Sequence, residues 1–86
     1  MTRFEKMIFD IKEDIFYLIN NPNKMPDYME VDQLQQIIDE LDKMSIVKNS
    51  EKYYPYYPKG IIDCCWDYND KIYSKLMDIL YVYKKI

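Results

Sequence analysis

The chain has 86 residues, 49% of them apolar, a net charge of -3 and no histidine. That length allows one small domain, burying roughly 60 to 65% of the surface its unfolded form exposes. Without histidine the commonest general base and the commonest transition-metal ligand are missing, and the single glycine, Gly60, excludes a glycine-rich phosphate loop. The expectation is a non-enzymatic domain with no catalytic residues, no metal and no cofactor.

No run approaches the roughly 18 apolar residues of a membrane span, and the opening MTRFEKMIFDIKEDIF is broken by charges where a secretory leader is not. These features predict a soluble, cytoplasmic protein without a membrane partner. The only two cysteines, Cys64 and Cys65, are neighbours. A disulfide between them would close a strained ring, so two reduced, partly buried thiols in a reducing compartment are expected.

Thr2 stands three residues before Glu5, the spacing of a capping box, so a first helix should start at once. Phe4, Met7, Ile8, Ile11, Ile15, Leu18 and Ile19 recur at helical steps and gather onto one face. Phe9 and Phe16 widen that face to about half the helix circumference. The stretch NNPNKMP, residues 20–26, then ends the helix, because Pro22 and Pro26 restrict their predecessors to extended backbone.

A second helical pattern follows, with Val31, Leu34, Ile37, Ile38, Leu41 and Met44 on one face and Asp27 or Asp32 as its cap. SIVKNS and the aromatic connection EKYYPYYPKG, residues 51–60, come next. GIIDCCWDY, residues 60–68, alternates like a short strand, yet Pro58 equally suits the first turn of a helix. A lone strand would lack a partner, which favours a short helix or turn. From Asn69 or Asp70, the residues Ile72, Leu76, Ile79, Leu80 and Tyr83 mark a last helix whose end is followed by Lys84 and Lys85. The predicted class is all-α: one domain over 1–86, a small antiparallel bundle of three long helices plus a short Tyr/Pro-rich helix or turn segment.

Charge is unevenly spread. Residues 27–42 hold six carboxylates, Asp27, Glu30, Asp32, Asp39, Glu40 and Asp42, and no lysine or arginine, whereas residues 71–86 hold four lysines against Asp78. One reading is a solvated polar face; the other is a negative patch that meets a basic protein, and such a patch repels nucleic acid. Four tyrosines, Tyr53, Tyr54, Tyr56 and Tyr57, crowd one proline-stiffened connection. They cannot all enter one small core, so one or two should point inward while the rest face a partner or solvent.

The acidic second helix, Tyr53-Tyr54-Pro55 repeated as Tyr56-Tyr57-Pro58, and Pro58-Lys59-Gly60-Ile61-Ile62 ahead of Trp66 together resemble the colicin-nuclease immunity proteins over residues 27–66. The resemblance implies a four-helix fold whose acidic second helix and Tyr-Tyr third helix block a basic nuclease toxin. It also implies that Asp32, Asp39, Glu40, Tyr53, Tyr54, Tyr56 and Tyr57 are contact residues. The chain departs from that family in lacking the polar loop between its Tyr-Tyr-Pro and Pro-x-Gly elements, and its Trp follows Gly60 sooner. A second functional reading stays open: a small helical subunit or adaptor whose broad first-helix face forms a homodimer or larger assembly.

Overall fold

Four helices carry the chain in the computed structural model, which describes residues 2–86: α1 (Arg3–Asn20), α2 (Val31–Val47), α3 (Tyr57–Asp63) and α4 (Lys71–Tyr83), with a 3₁₀ turn at Pro22–Lys24. Among the described residues there is no strand, so the protein is all-α. Among the described residues no helix is long and apolar enough to cross a membrane.

α1 starts where the sequence predicts. The Thr2 hydroxyl oxygen accepts the Glu5 N–H at 3.1 Å and the same hydroxyl donates to Glu5 Oε1 at 3.1 Å. The helix buries Phe4, Ile8, Ile11 and Ile15 and stops before Pro22, where the Asn21 amide turns back to the Tyr17 carbonyl at 2.8 Å.

The start of α2 corrects the sequence reading, since neither Asp27 nor Asp32 is its cap. Glu30 occupies that position without a side-chain bond, and Asp32 lies inside the first turn. The physical reason is the apolar residue just before the cap: Met29 is buried in the same core as Leu34, the placement of a hydrophobic staple, and this packing sets where the helix begins. The other end also differs. Ser45, Ile46 and Val47 extend α2 beyond Met44, where the sequence pattern ends, and Lys48 closes it in the left-handed conformation with its N–H on the Met44 carbonyl at 2.9 Å.

GIIDCCWDY resolves as the end of α3. The Cys65 N–H returns to the Ile62 carbonyl and the Trp66 N–H to the Ile61 carbonyl, both at 3.1 Å. This is a Schellman ending with Cys65 at φ 57° in the position glycine usually takes. Trp66 and Ile61, which accompany the motif, are both buried. The turn aims the indole inward and leaves Cys64 and Cys65 as free, exposed thiols, which corrects the expectation that they are partly buried.

α4 is capped by Asp70, whose Oδ1 accepts the Ile72 N–H at 2.8 Å, and it buries Ile72, Leu76, Ile79, Leu80 and Tyr83 as the pattern predicts. α1 packs against both α2 and α4, while α3 bridges α2 and α4. The radius of gyration is 12.4 Å, close to the about 12 Å expected of one compact domain of this length.

A left-handed conformation costs a residue with a Cβ about 1–2 kcal/mol. Cys65→Gly is therefore expected to stabilise the fold by about 1 kcal/mol, part of the relief being offset by the greater freedom of glycine in the unfolded chain. Urea titration of the two proteins measures this, and a lower midpoint for the variant would refute the assignment of strain to Cys65.

Candidate functional site

The segment between α2 and α3, residues 48–56, turns at 50–52 and runs through Pro55 to Tyr56, whose backbone is already right-handed, while Tyr57 and Pro58 belong to the first turn of α3. Burial alternates from Tyr53 onward: Tyr53 is half-buried, Tyr54 exposed, Pro55 buried, Tyr56 74% exposed and Tyr57 buried. Two tyrosines thus support the segment from inside and two are displayed.

The inner pair is held by specific bonds. The Tyr57 hydroxyl donates to the Leu76 carbonyl of α4 at 2.8 Å. Burial, with Glu40 beside it, pushes the Tyr57 pKa well above the usual phenol value, so it remains a donor. The Tyr83 hydroxyl lies 2.7 Å from the Tyr53 carbonyl and 3.0 Å from the Asn49 carbonyl, gripping the start of the connection. The Tyr83 ring stacks on Phe4 with centroids 5.7 Å apart, tying this grip to α1.

Glu40 is the second anchor. It is 6% exposed, and its two oxygens accept the Tyr56 N–H at 2.7 Å and the Tyr57 N–H at 2.9 Å. α3 has no capping side chain of its own, so a carboxylate from α2 supplies the cap from a distance. Burial pushes the Glu40 pKa above the usual carboxylate value, while the two N–H donors and the Gln36 side chain pull it back without cancelling the rise.

Of the seven contact residues suggested by the sequence, Glu40 and Tyr57 are corrected. Both side chains point into the fold and bond there, because the first turn of α3 needs an acceptor and the core needs its aromatic ring. Asp32, Asp39, Tyr54 and Tyr56 are exposed, and Tyr53 contributes one half-buried edge. Asp32 and Asp39 are seven residues apart, about two helical turns, and so share one side of α2. Ile46, a further seven along and 82% exposed, continues the same line. The helical pattern read from the sequence ends at Met44 and so leaves Ile46 out; once Ser45–Val47 is helical, the seven-residue spacing places it with the two aspartates.

The acidic run divides by role. Asp42 pairs with Lys12 of α1 at 2.5 Å and Glu40 is internal, whereas Asp27, Glu30, Asp32 and Asp39 form no ion pair among the described residues. Lys43 lies 4.6 Å from the centre of the Tyr53 ring and Lys84 lies 5.7 Å from that of Tyr54, so cations border the aromatic segment. On the other side of α3, Gln33 accepts the Trp66 indole N–H at 3.2 Å. Tyr28, tilted against Trp66 with centroids 6.0 Å apart, donates to Asp70. Tyr28 and Gln33 were not singled out in the sequence, and no local pattern marks either as a partner of Trp66. Among the described residues no group of three His, Cys, Asp or Glu is placed to hold a metal ion. Among the side chains that α2 and the connection leave exposed are carboxylates and phenols, with Ile46 beside them.

Leaving a buried N–H without a partner costs about 1–3 kcal/mol, so Glu40→Ala is expected to destabilise the fold by about 2 kcal/mol or more. Its titration gives a second expectation. Because folding raises this pKa, the folded chain keeps the proton over a pH window in which the unfolded chain has lost it. The contribution of Glu40 titration to stability is therefore full below the unfolded value and is lost as pH rises through the folded one. The stability difference between the wild type and Glu40→Gln should accordingly fall as pH rises above the ordinary glutamate range, measured by urea titration at successive pH values. A difference that stays constant or grows would contradict a raised Glu40.

No family model matches the sequence, and neither a curated protein nor a solved structure matches the chain.

Proposed function

We propose that this chain is a non-enzymatic protein-binding module of the immunity or inhibitor type, which occludes a basic protein partner such as a toxin or nuclease domain. In this reading three long helices in antiparallel order form the frame, and the contact face consists of Asp32, Asp39, Tyr53, Tyr54 and Tyr56. The observation that carries it is the display of Tyr56 and Tyr54 on a segment pinned from below by Glu40, next to a stripe of α2 whose aspartates form no ion pair among the described residues. A large, stiff aromatic with a single hydroxyl is suited to a desolvated contact, and unpaired carboxylates beside it favour a cationic partner over nucleic acid. The likeness of residues 27–66 to the colicin-nuclease immunity proteins supports the same reading.

The test is kinetic and starts from capture of the partner on the immobilised chain, using host extract and the product of the adjacent gene. Surface plasmon resonance at two ionic strengths then separates the contributions. Tyr54→Ala or Tyr56→Ala should raise the dissociation rate, by an amount equivalent to about 2 kcal/mol where the ring is a buried anchor. Asp32→Ala and Asp39→Ala should slow association and weaken its dependence on salt, because their field acts before contact. If all four variants bind with the wild-type rates and salt response, this face is not the binding face.

A further inference from the structure

α1 shows solvent an apolar stripe that the core does not use. Phe9 is 54% and Phe16 41% exposed, and they flank a cleft of about 380 Å³ between α1 and α2 that reaches Lys12, Glu13 and Asp42. The two rings are seven residues apart on the same side of the helix, with Lys12 and Glu13 midway between them. Glu5 and Asn20 lie on the same side, one turn beyond each ring.

That order reads the same way in reverse, up to a change of charge. If two copies of α1 are laid antiparallel across a two-fold axis passing midway between Lys12 and Glu13, Phe9 falls opposite the partner's Phe16. Lys12 then falls opposite the partner's Glu13, and Glu5 opposite the partner's Asn20. Each of the three pairs is chemically matched: ring with ring, cation with anion, carboxylate with amide. The two-fold repeats each pair on the other half, as an isologous interface requires. The internal bonds of these side chains leave room for the new ones. Lys12 uses one donor on Asp42 at 2.5 Å and has two more. Glu5 is held through Oε1 by Lys48 at 3.3 Å.

We infer that the Phe9–Phe16 stripe of α1 is an interface for a second copy of this chain, packed antiparallel about an axis between Lys12 and Glu13. The occupant follows from charge complementarity: the stripe carries both signs in the order that its own reverse neutralises. At about 1.5 Å per residue the 18 residues of α1 span about 27 Å, which gives the pairing a continuous seam. The inference is independent of the acidic and aromatic face. Asp32, Asp39 and Ile46 follow one line on α2 and the tyrosines lie towards α3, so a dimer through α1 leaves them exposed on both copies.

Sedimentation equilibrium from micromolar to millimolar concentration, with far-UV circular dichroism as the folding control, tests the inference. The wild type should be a concentration-dependent dimer. Phe9→Glu combined with Phe16→Glu should weaken dimerisation at least about a hundredfold with unchanged helicity, since neither ring is in the core. Tyr17→Glu, at a comparably exposed aromatic outside the stripe, should leave it unchanged. Glu13→Lys and Lys12→Glu should each weaken self-association, and mixing the two should restore a heterodimer, because only then does every seam pair again join opposite charges. A wild type that remains monomeric at millimolar concentration overturns the inference. So does a dimer that survives the double Phe→Glu change, or charge variants that associate no better mixed than alone.

Discussion

The carboxylate of Glu40 holds in place a segment that has almost no secondary structure of its own. Pro55 and Pro58 have no N–H, so Tyr56 and Tyr57 are the only backbone donors between them, and Glu40 takes both. Their alternative partner is water, which the burial of Pro55 and Tyr57 restricts. Putting a carboxylate among Ile37, Leu41 and Met44 is unfavourable on desolvation grounds. Two strong acceptor bonds at the positive end of α3 offset much of that cost, although the raised pKa shows that the offset is incomplete. α3 is only seven residues long and has little intrinsic stability. Its position depends on this cap at one end and on the buried Trp66 beyond the other.

With the segment pinned, proline stiffness turns sequence order into surface chemistry. Tyr53 and Tyr57 turn inward while Tyr54 and Tyr56 stay outside, Tyr56 from the cap position of α3 and Tyr57 from its first turn, which explains why aromatic residues fill a connection where small polar ones are usual. Tyr57 combines a ring that fills space with a hydroxyl that reaches a backbone carbonyl, and Tyr83 does the same from α4, holding the Tyr53 carbonyl. Serine or asparagine would make the bond without filling the volume; phenylalanine would fill the volume and leave the carbonyl without that donor.

Charge is used in two ways on the same helix. Three ion pairs, Lys12–Asp42, Lys48–Glu5 and Lys75–Asp14, join α1 to its surroundings. All three are at least partly exposed, so each adds little to stability, but they align helices whose apolar faces would tolerate other rotations. The aspartates of α2 that face away from α1 have no such partner among the described residues. The polar side of α2 therefore separates an α1 edge that is neutralised internally from an outer edge that keeps its field.

The existence and inward faces of α1, α2 and α4 were legible in the sequence, because a 3.6-residue repeat of large aliphatic side chains is a local property. Ile11, Ile15, Leu34, Leu41 and Leu76 are buried as the repeat requires. The cap Thr2 was legible for the same reason, since it bonds to an amide within its own first turn, and of the two starts left open for α4, Asn69 or Asp70, the structure selects Asp70. The ambiguity of GIIDCCWDY was real at that level, since alternation and helical period coincide over a short run. It is resolved by contacts to residues far away in sequence, Glu40 at the start of α3 and Gln33 at Trp66. Only tertiary structure decided that Glu40 belongs inside while Asp39 stays outside. Composition cannot distinguish adjacent acids; the 100° turn between neighbours in a helix, together with an unsatisfied helix start on one side only, can.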